Sequence, residues 1–374
     1  MMMFGLSTTC ALALVSGAWA IPSQVSGRQA AFRSTAITDF ASPWALAFLP
    51  DNRILVTEKA GQLRLLDPNT KAKGTVTGVP RVRNAGQGGF GDVALHPNYA
   101  ENNLIYISYS EPGSGTQANA AVARAKLVLN NSGGGALQDL QVIWRQNQQF
   151  GGDGHFSHRL LFDSNNSTLF ISSGERQQFD PAQSLTSNLG KIIRLNDDGT
   201  PKEGNPYFSR GGVSAQIWAL GVRNPLGIDW DEQGRLWEIE MGPQGGDEIN
   251  LIEKGGNYGW PIVSQGNHYD GRPIPNHNTR PEFIPPKAFW VPVISPSSLV
   301  IYKGDLFRNW KGNAIISGLG AQGLVRVEIT GNNAREVQRL SLGKRIRSVR
   351  QGPDGALYVL EDGQGGRLLK LTPN

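Results

Sequence analysis

One histidine, three arginines and two amide side chains stand at matching places along this chain, and together they could move a proton and hold an anion. Gln87 lies six residues before Val93, His155 five before Leu160, Arg223 and Asn224 five and four before Ile228, and Arg345 and Arg347 four and two before Val349. Each reference residue opens or enters an apolar stretch that reads as a β-strand, so the candidates occupy equivalent approach loops. A neutral imidazole can take a proton from a hydroxyl, and a neighbouring guanidinium and amide can stabilise the negative charge that develops. Three guanidiniums around one pocket suit a ligand with several carboxylates or phosphates. Singly, each reads as an ordinary loop residue; the shared offset favours a joint role. His158 has no third ligand to complete a metal site and is assigned to structure.

A second stretch has different chemistry. Glu238–Asn250 contains Gly242-Pro243 and the acids Asp247 and Glu248, and Gly255–Pro261 follows with Tyr258. Glycine and proline expose backbone carbonyls and the acids add carboxylates, a donor set suited to a hard cation such as Ca²⁺. The spacing is not that of an EF-hand, and a turn-rich loop with solvated acids is the competing reading.

These loops need a frame that brings them together, and the sequence repeats one. Six times an apolar strand runs into a turn of Asp, Asn, Gly or Pro and a second strand: Leu46–Glu58, Val93–Tyr109, Leu160–Ser172, Ile228–Trp237, Leu299–Ser317 and Val349–Leu360. Several repeats continue into a third strand, as in Gln62–Leu66, Lys191–Leu195, Leu324–Ile329 and Arg367–Leu371. The pattern predicts an all-β fold, a six-bladed β-propeller with four-stranded blades, in which the first strand of each blade lines the axis and its approach loop lies on one rim. A β-sandwich is the alternative. Residues 21–374 then form a single domain, with Ser264–Pro286 an excursion from the ring.

Composition agrees. Gly and Pro make up 69 of 374 residues, a density that long helices tolerate poorly and tight turns use well. The net charge of +5 comes from scattered Lys and Arg, which argues against a nucleic-acid stripe. Met1–Ala20 carries no charge, is apolar, and ends Ala18-Trp19-Ala20, the small-x-small form of a secretory signal, so the protein is expected to be exported, to the periplasm or beyond. Its n-region lacks Lys or Arg, which leaves an uncleaved anchor or a short N-terminal strand as alternatives. The one cysteine, Cys10, lies in that segment, so the mature chain has no disulfide or thiol chemistry, and no later stretch is long and apolar enough to span a membrane.

From about Pro43 to its end the chain resembles the soluble glucose/sorbosone dehydrogenases that use pyrroloquinoline quinone (PQQ), in particular the aldose sugar dehydrogenase branch. The likeness rests on Gly86–Gly89 with Ala94–Pro97, Gly154–Phe156 with Arg159-Leu160, Gly190–Gly199 with Asn205-Pro206, and Gly221–Pro225. It continues through Gly242-Pro243 with Gly246–Asn250, Asn257–Pro261, and Arg345–Arg347 with Gly352–Gly355. The resemblance implies a six-bladed propeller that oxidises aldoses at C1 to the lactone, with PQQ and Ca²⁺ as cofactors and an external electron acceptor. It implies that His155 is the general base and that Arg223 stabilises charge on the quinone oxygens beside Asn224. Gln87, Arg345 and Arg347 would hold the cofactor, the two Arg answering its carboxylates. Gly242 and Pro243 would offer carbonyls to the Ca²⁺ that polarises the quinone, and Glu248 and Tyr258 would serve a structural Ca²⁺.

The chain departs from the family where some members place a cofactor-binding Lys in the fifth repeat: Ser317–Gly323 has none. Ser157-His158 replaces the usual Gly-Ser, and the surroundings of Glu175–Gln178 do not align. Two other functions compete: a non-catalytic ligand- or protein-binding propeller, and a metal-dependent lactone or phosphate-ester hydrolase. The first has no need of the His, Arg and Asn set, and the second wants several carboxylates on the axis.

Overall fold

The structure, a computed structural model, describes residues 32–163 and 167–374. The proposed signal Met1–Ala20 and Cys10 therefore lie outside the described residues. Among the described residues no helix is long and apolar enough to cross a membrane.

Each of the six repeated hairpins forms an antiparallel strand pair. The first strands are Pro43–Phe48, Phe90–Leu95, Ser157–Asp163, Pro225–Trp230, Pro296–Ile301 and Ile346–Gln351. Second strands such as Ile54–Glu58, Leu236–Glu240 and Leu357–Glu361 are buried at every residue. Apolar side chains fill most of these positions because such a strand is sandwiched between neighbouring sheets, and the buried acids that end them, Glu58, Glu240 and Glu361, are held by hydrogen bonds. Outer strands have wet positions, as in Asn333–Ser341, where only Leu340 is buried.

Four sheets have four strands each, and the last of them takes the N-terminal strand Arg33–Ala41 beside Gln364–Thr372, which ties the two ends of the described chain together. The fifth sheet has eight strands: two antiparallel runs, from Pro43–Phe48 to Lys73–Thr77 and from Phe90–Leu95 to Gly135–Arg145, are joined into one sheet by parallel pairing of Val76 with Gly135 and Thr77 with Ala136. Packing between sheets is cyclic. Each first strand touches the first strand of the next unit, and Ile346–Gln351 returns to Pro43–Phe48.

A buried guanidinium crosses the centre of that cycle. Arg159 Nε donates to Leu226 O at 2.7 Å, Nη2 donates to Ser297 O, Nη1 lies 3.5 Å from Asp92, and the group stacks 3.8 Å above Trp44. Arg350 reaches Asp92 from the sixth first strand at 3.4 Å. The axis below the candidate loops is thus closed by polar contacts drawn from all round the cycle. His158 joins this plug: Ser108 Oγ lies 2.9 Å from its Nδ1, it stacks on Trp44, and burial drives its pKa down to about 3, so it is a neutral structural group.

Candidate active site

His155 precedes the first strand of the third unit and is held in an unusual backbone state, with φ of 48°. Ser157, His158, Arg176, Gln177 and Phe179 also have positive φ, a local concentration of strain of the kind that functional loops hold. Three contacts over-determine it. Gln87 Oε1 accepts the His155 N–H at 2.8 Å, and Arg176 donates to Gly152, Gly154 and Ala118 carbonyls while stacking on Phe156 at 3.7 Å. Gly174 supplies the third, since a Cβ there would sit 2.1 Å from the His155 carbonyl oxygen.

The imidazole itself meets a carboxylate. Its Nδ1 hydrogen-bonds Glu175 Oε1, and Glu175 also accepts the N–H groups of Gln177 at 2.9 Å and Phe179 at 2.7 Å. Burial, opposed by the Glu175 hydrogen bond, leaves the His155 pKa below the ordinary imidazole value. Burial is the largest influence on Glu175 and pushes it up, but the His155 bond, the Phe179 N–H and the nearby positive charge of Arg223 together hold the carboxyl below its usual range. The pair is therefore a neutral imidazole donating from Nδ1 to a carboxylate, which leaves the Nε2 lone pair to take a proton.

Arg223 and Asn224 come to the same place from the fourth unit. Glu175 N–H donates to Arg223 O at 2.9 Å, and Ser157 Oγ donates to Asn224 Oδ1 at 2.8 Å. Glu240 Oε2 accepts both backbone N–H groups, of Arg223 and of Asn224, and so sets that turn. Arg223 Nη1 donates to Met241 O at 2.8 Å and Gly242 O at 2.6 Å, while Nη2 lies 3.3 Å from Tyr269 Oη. Among the described residues Arg223 Nε, Asn224 Nδ2 and Trp260 Nε1 are buried without a hydrogen-bond partner. Orphaned buried donors are costly, and three gathered about Arg223, whose guanidinium lies 5.1 Å from the Trp260 ring, match a ligand rich in acceptor oxygens. Over them stands an aromatic rim: Phe179, 42% exposed, stacks on Trp260, and Tyr269 is 71% exposed.

Gly242, Pro243, Glu248 and Tyr258, with Arg223, Glu240 and Trp260, line a cavity of about 10 Å³. That is room for a single water or ion. Asp247 holds the turn, accepting Gly242 N–H at 3.0 Å through Oδ1 and the N–H groups of Ile294 and Ser295 through Oδ2. Burial pushes Glu240 up to about 7, against the N–H groups of Arg223 and Asn224 and the Arg223 charge, and burial with the neighbouring Glu240 pushes Glu248 well above the usual carboxylate range. Among the described residues no three His, Cys, Asp or Glu side chains converge into a ready-made metal cluster, so a cation here would draw on carbonyls as well. The Tyr258 hydroxyl donates to Leu251 O at 2.7 Å, leaving its main-chain oxygen, 3.0 Å from His277 Nε2, as the oxygen it could turn to an ion.

Arg345 and Arg347 share Asp362, at 2.9 Å and 2.7 Å, and Arg347 Nη1 also donates to Ser297 Oγ. Among the described residues no direct contact joins them to His155 or Arg223; they belong to the sixth unit, at the start of Ile346–Gln351, and the Arg345 side chain is 54% exposed. The offset argument missed Glu175, Glu240 and Asp362. All three lie at or just past the end of a second strand, which runs antiparallel to the first and returns to the same rim, so a mirrored offset would have found them.

Residues 40–370 match the family model described as Glucose / Sorbosone dehydrogenase. The chain is 38% identical over 339 residues to aldose sugar dehydrogenase YliI of Escherichia coli K12, covering 88% of this chain and 90% of that one. It is 27% identical over 408 residues to quinoprotein glucose dehydrogenase B of Acinetobacter calcoaceticus, covering 88% and 85%. The apo crystal structure of the soluble aldose sugar dehydrogenase from Escherichia coli superposes with a TM-score of 0.85 at 37% identity, covering 92% of this chain and all of that one. The PQQ-bound aldose sugar dehydrogenase from Streptomyces coelicolor shares the fold, with a TM-score of 0.73 at 24% identity over 93% of this chain and all of that one.

Proposed function

The chain belongs to the glucose/sorbosone dehydrogenase family, and on that footing we propose that it is an exported, Ca²⁺- and PQQ-dependent aldose sugar dehydrogenase built as a six-bladed β-propeller. The cyclic contacts of the six first strands support the ring, with the eight-stranded sheet counted as two blades that touch at their outer edges. Relatives described as an aldose sugar dehydrogenase and a quinoprotein support the substrate class and the cofactor.

One observation carries the catalytic reading: a buried, neutral His155 anchored at Nδ1 by Glu175, on a loop hydrogen-bonded to the backbone of Arg223. His155 Nε2 takes the proton of the anomeric hydroxyl, and Glu175 stabilises the imidazolium that results. When bound, the quinone supplies the two-electron acceptor for the hydride leaving C1. Arg223 and Asn224 offer their unpaired donors to acceptor oxygens, and Gln87 fixes the His155 backbone. Gly242, Pro243, Glu248 and Tyr258 line the space suited to Ca²⁺, whose positive charge would compensate the buried acids and polarise a bound carbonyl. Phe179 and Tyr269 flank the entrance, where apolar faces suit a pyranose ring.

The test is to add PQQ and Ca²⁺ to purified apoprotein and follow reduction of an acceptor dye with glucose and other aldoses. Sugar-dependent reduction is expected. Spectral evidence of quinone binding without any reduction would instead favour a binding propeller.

A further inference from the structure

Lys59 belongs to neither the offset set nor the resemblance. It follows the second strand Ile54–Glu58 of the first unit, and its backbone is pinned on both sides: its N–H donates to Ser42 O at 3.0 Å and its carbonyl accepts from Phe90 N at 2.9 Å. Its Nζ donates to Gly86 O at 2.8 Å, next to the Gln87 that holds the His155 N–H. The first strand of its unit packs against both Ile346–Gln351 and Leu357–Glu361, which puts it beside Arg347 and Asp362. Lys59 therefore stands between the base and the arginine pair.

The charges there do not balance. Lys59, Arg345 and Arg347 face one carboxylate, Asp362, an excess of two positive charges, with Lys59 and Arg347 half-buried and Arg345 at the exposed edge. Burial first, and Arg347 second, hold the Lys59 ammonium below its ordinary pKa, with Asp362 opposing them. One carbonyl uses one of the three ammonium donors. The fifth repeat offers no lysine, as Ser317–Gly323 contains none. We propose that Lys59 is a cofactor-holding residue, which with Arg345 and Arg347 forms a three-cation seat for the carboxylates of the quinone; this rests on the functional reading above.

Binding, not turnover, tests it. Tryptophan fluorescence of the apoprotein is titrated with PQQ and, separately, with benzene-1,2,4-tricarboxylate, which has carboxylates and no quinone. Lys59→Gln keeps a donor for Gly86 O and loses the charge, and Lys59→Arg keeps the charge; thermal melting verifies that both fold. Lys59→Gln is expected to weaken both ligands by about tenfold or more and to flatten the salt dependence, while Lys59→Arg stays within about threefold of wild type. Unchanged affinity of Lys59→Gln for both ligands, or a wild type that binds neither, overturns the assignment. A wild type that binds the tricarboxylate through Lys59 but not PQQ sustains the cationic seat and sinks the quinone reading instead.

Discussion

Glu175 accepts the Nδ1 hydrogen of His155 while its two oxygens are fixed by the N–H groups of Gln177 and Phe179, so the imidazole is aimed by a carboxylate that cannot itself turn. Glu175 is buried, and its hydrogen bond and its charge both raise the His155 pKa against burial.

Replacing Glu175 by Gln should therefore make His155 a weaker base. The carboxylate raises the imidazole pKa, so its loss lowers that pKa further, and kcat/KM is expected to fall by about 10- to 100-fold. The base works when neutral, so wild-type kcat/KM should hold as pH falls through neutrality and drop only below the ordinary imidazole value of 6.5. In Glu175→Gln the acid limb should move to still lower pH. A pH profile of kcat/KM measures both; a limb that shifts towards higher pH would contradict the assigned roles.

His155→Ala separates chemistry from binding. The side chain donates nothing to the Arg223, Asn224 and Gln87 contacts, and the Gln87 bond goes to the backbone N–H. Turnover is expected to drop by about 10²- to 10⁴-fold with PQQ still bound, read by steady-state rates beside fluorescence titration. Loss of binding with normal turnover per bound cofactor would show that His155 is a ligand and not the base.

Arg159 carries the ring rather than the reaction. Its guanidinium is spent on Leu226 O, Ser297 O, Asp92 and the Trp44 face. Arg159→Met would strand two carbonyls and weaken the hold on a buried Asp92, at a cost of about 3–5 kcal/mol in a denaturant titration. A cost below about 1 kcal/mol would mean that the sheets hold each other without this tie.

The hairpins were legible because each is local: two apolar strands and a turn of Asp, Asn or Gly lie within one short window, as in Leu160–Ser172. Outer strands such as Asn333–Ser341 were not, since their alternation is polar on most positions and only the partner Gly323–Thr330 reveals them. At the site, the loops before first strands were readable from a common offset, and the structure brings Gln87, His155, Arg223 and Asn224 into contact with one another or with one another's immediate neighbours. Glu175 was invisible for a physical reason: it acts through His155, twenty residues away, across a turn whose positive φ values no local pattern of Arg and Gln announces. The join between Val76 and Gly135 is likewise a two-residue parallel contact that carries no periodicity.

Calcium should matter to the fold as well as to the rate. Glu240 and Glu248 face a cavity the size of one ion beside the Gly242-Pro243 turn, and the turn is held on its far side by Asp247. A cation that binds only the folded chain stabilises it by about 2.7 kcal/mol at a hundredfold excess over its dissociation constant. Chelator-treated protein should therefore melt several degrees lower, and Ca²⁺ should restore the melting temperature in the absence of quinone. Glu248→Gln removes a carboxylate from the cavity lining and should abolish most of that Ca²⁺-dependent rise, whereas Glu328→Gln, at a partly buried strand position paired with Arg335 and outside the cavity lining, should leave it intact. A melting temperature indifferent to Ca²⁺ in the wild type would leave the four lining residues as a turn packed around water.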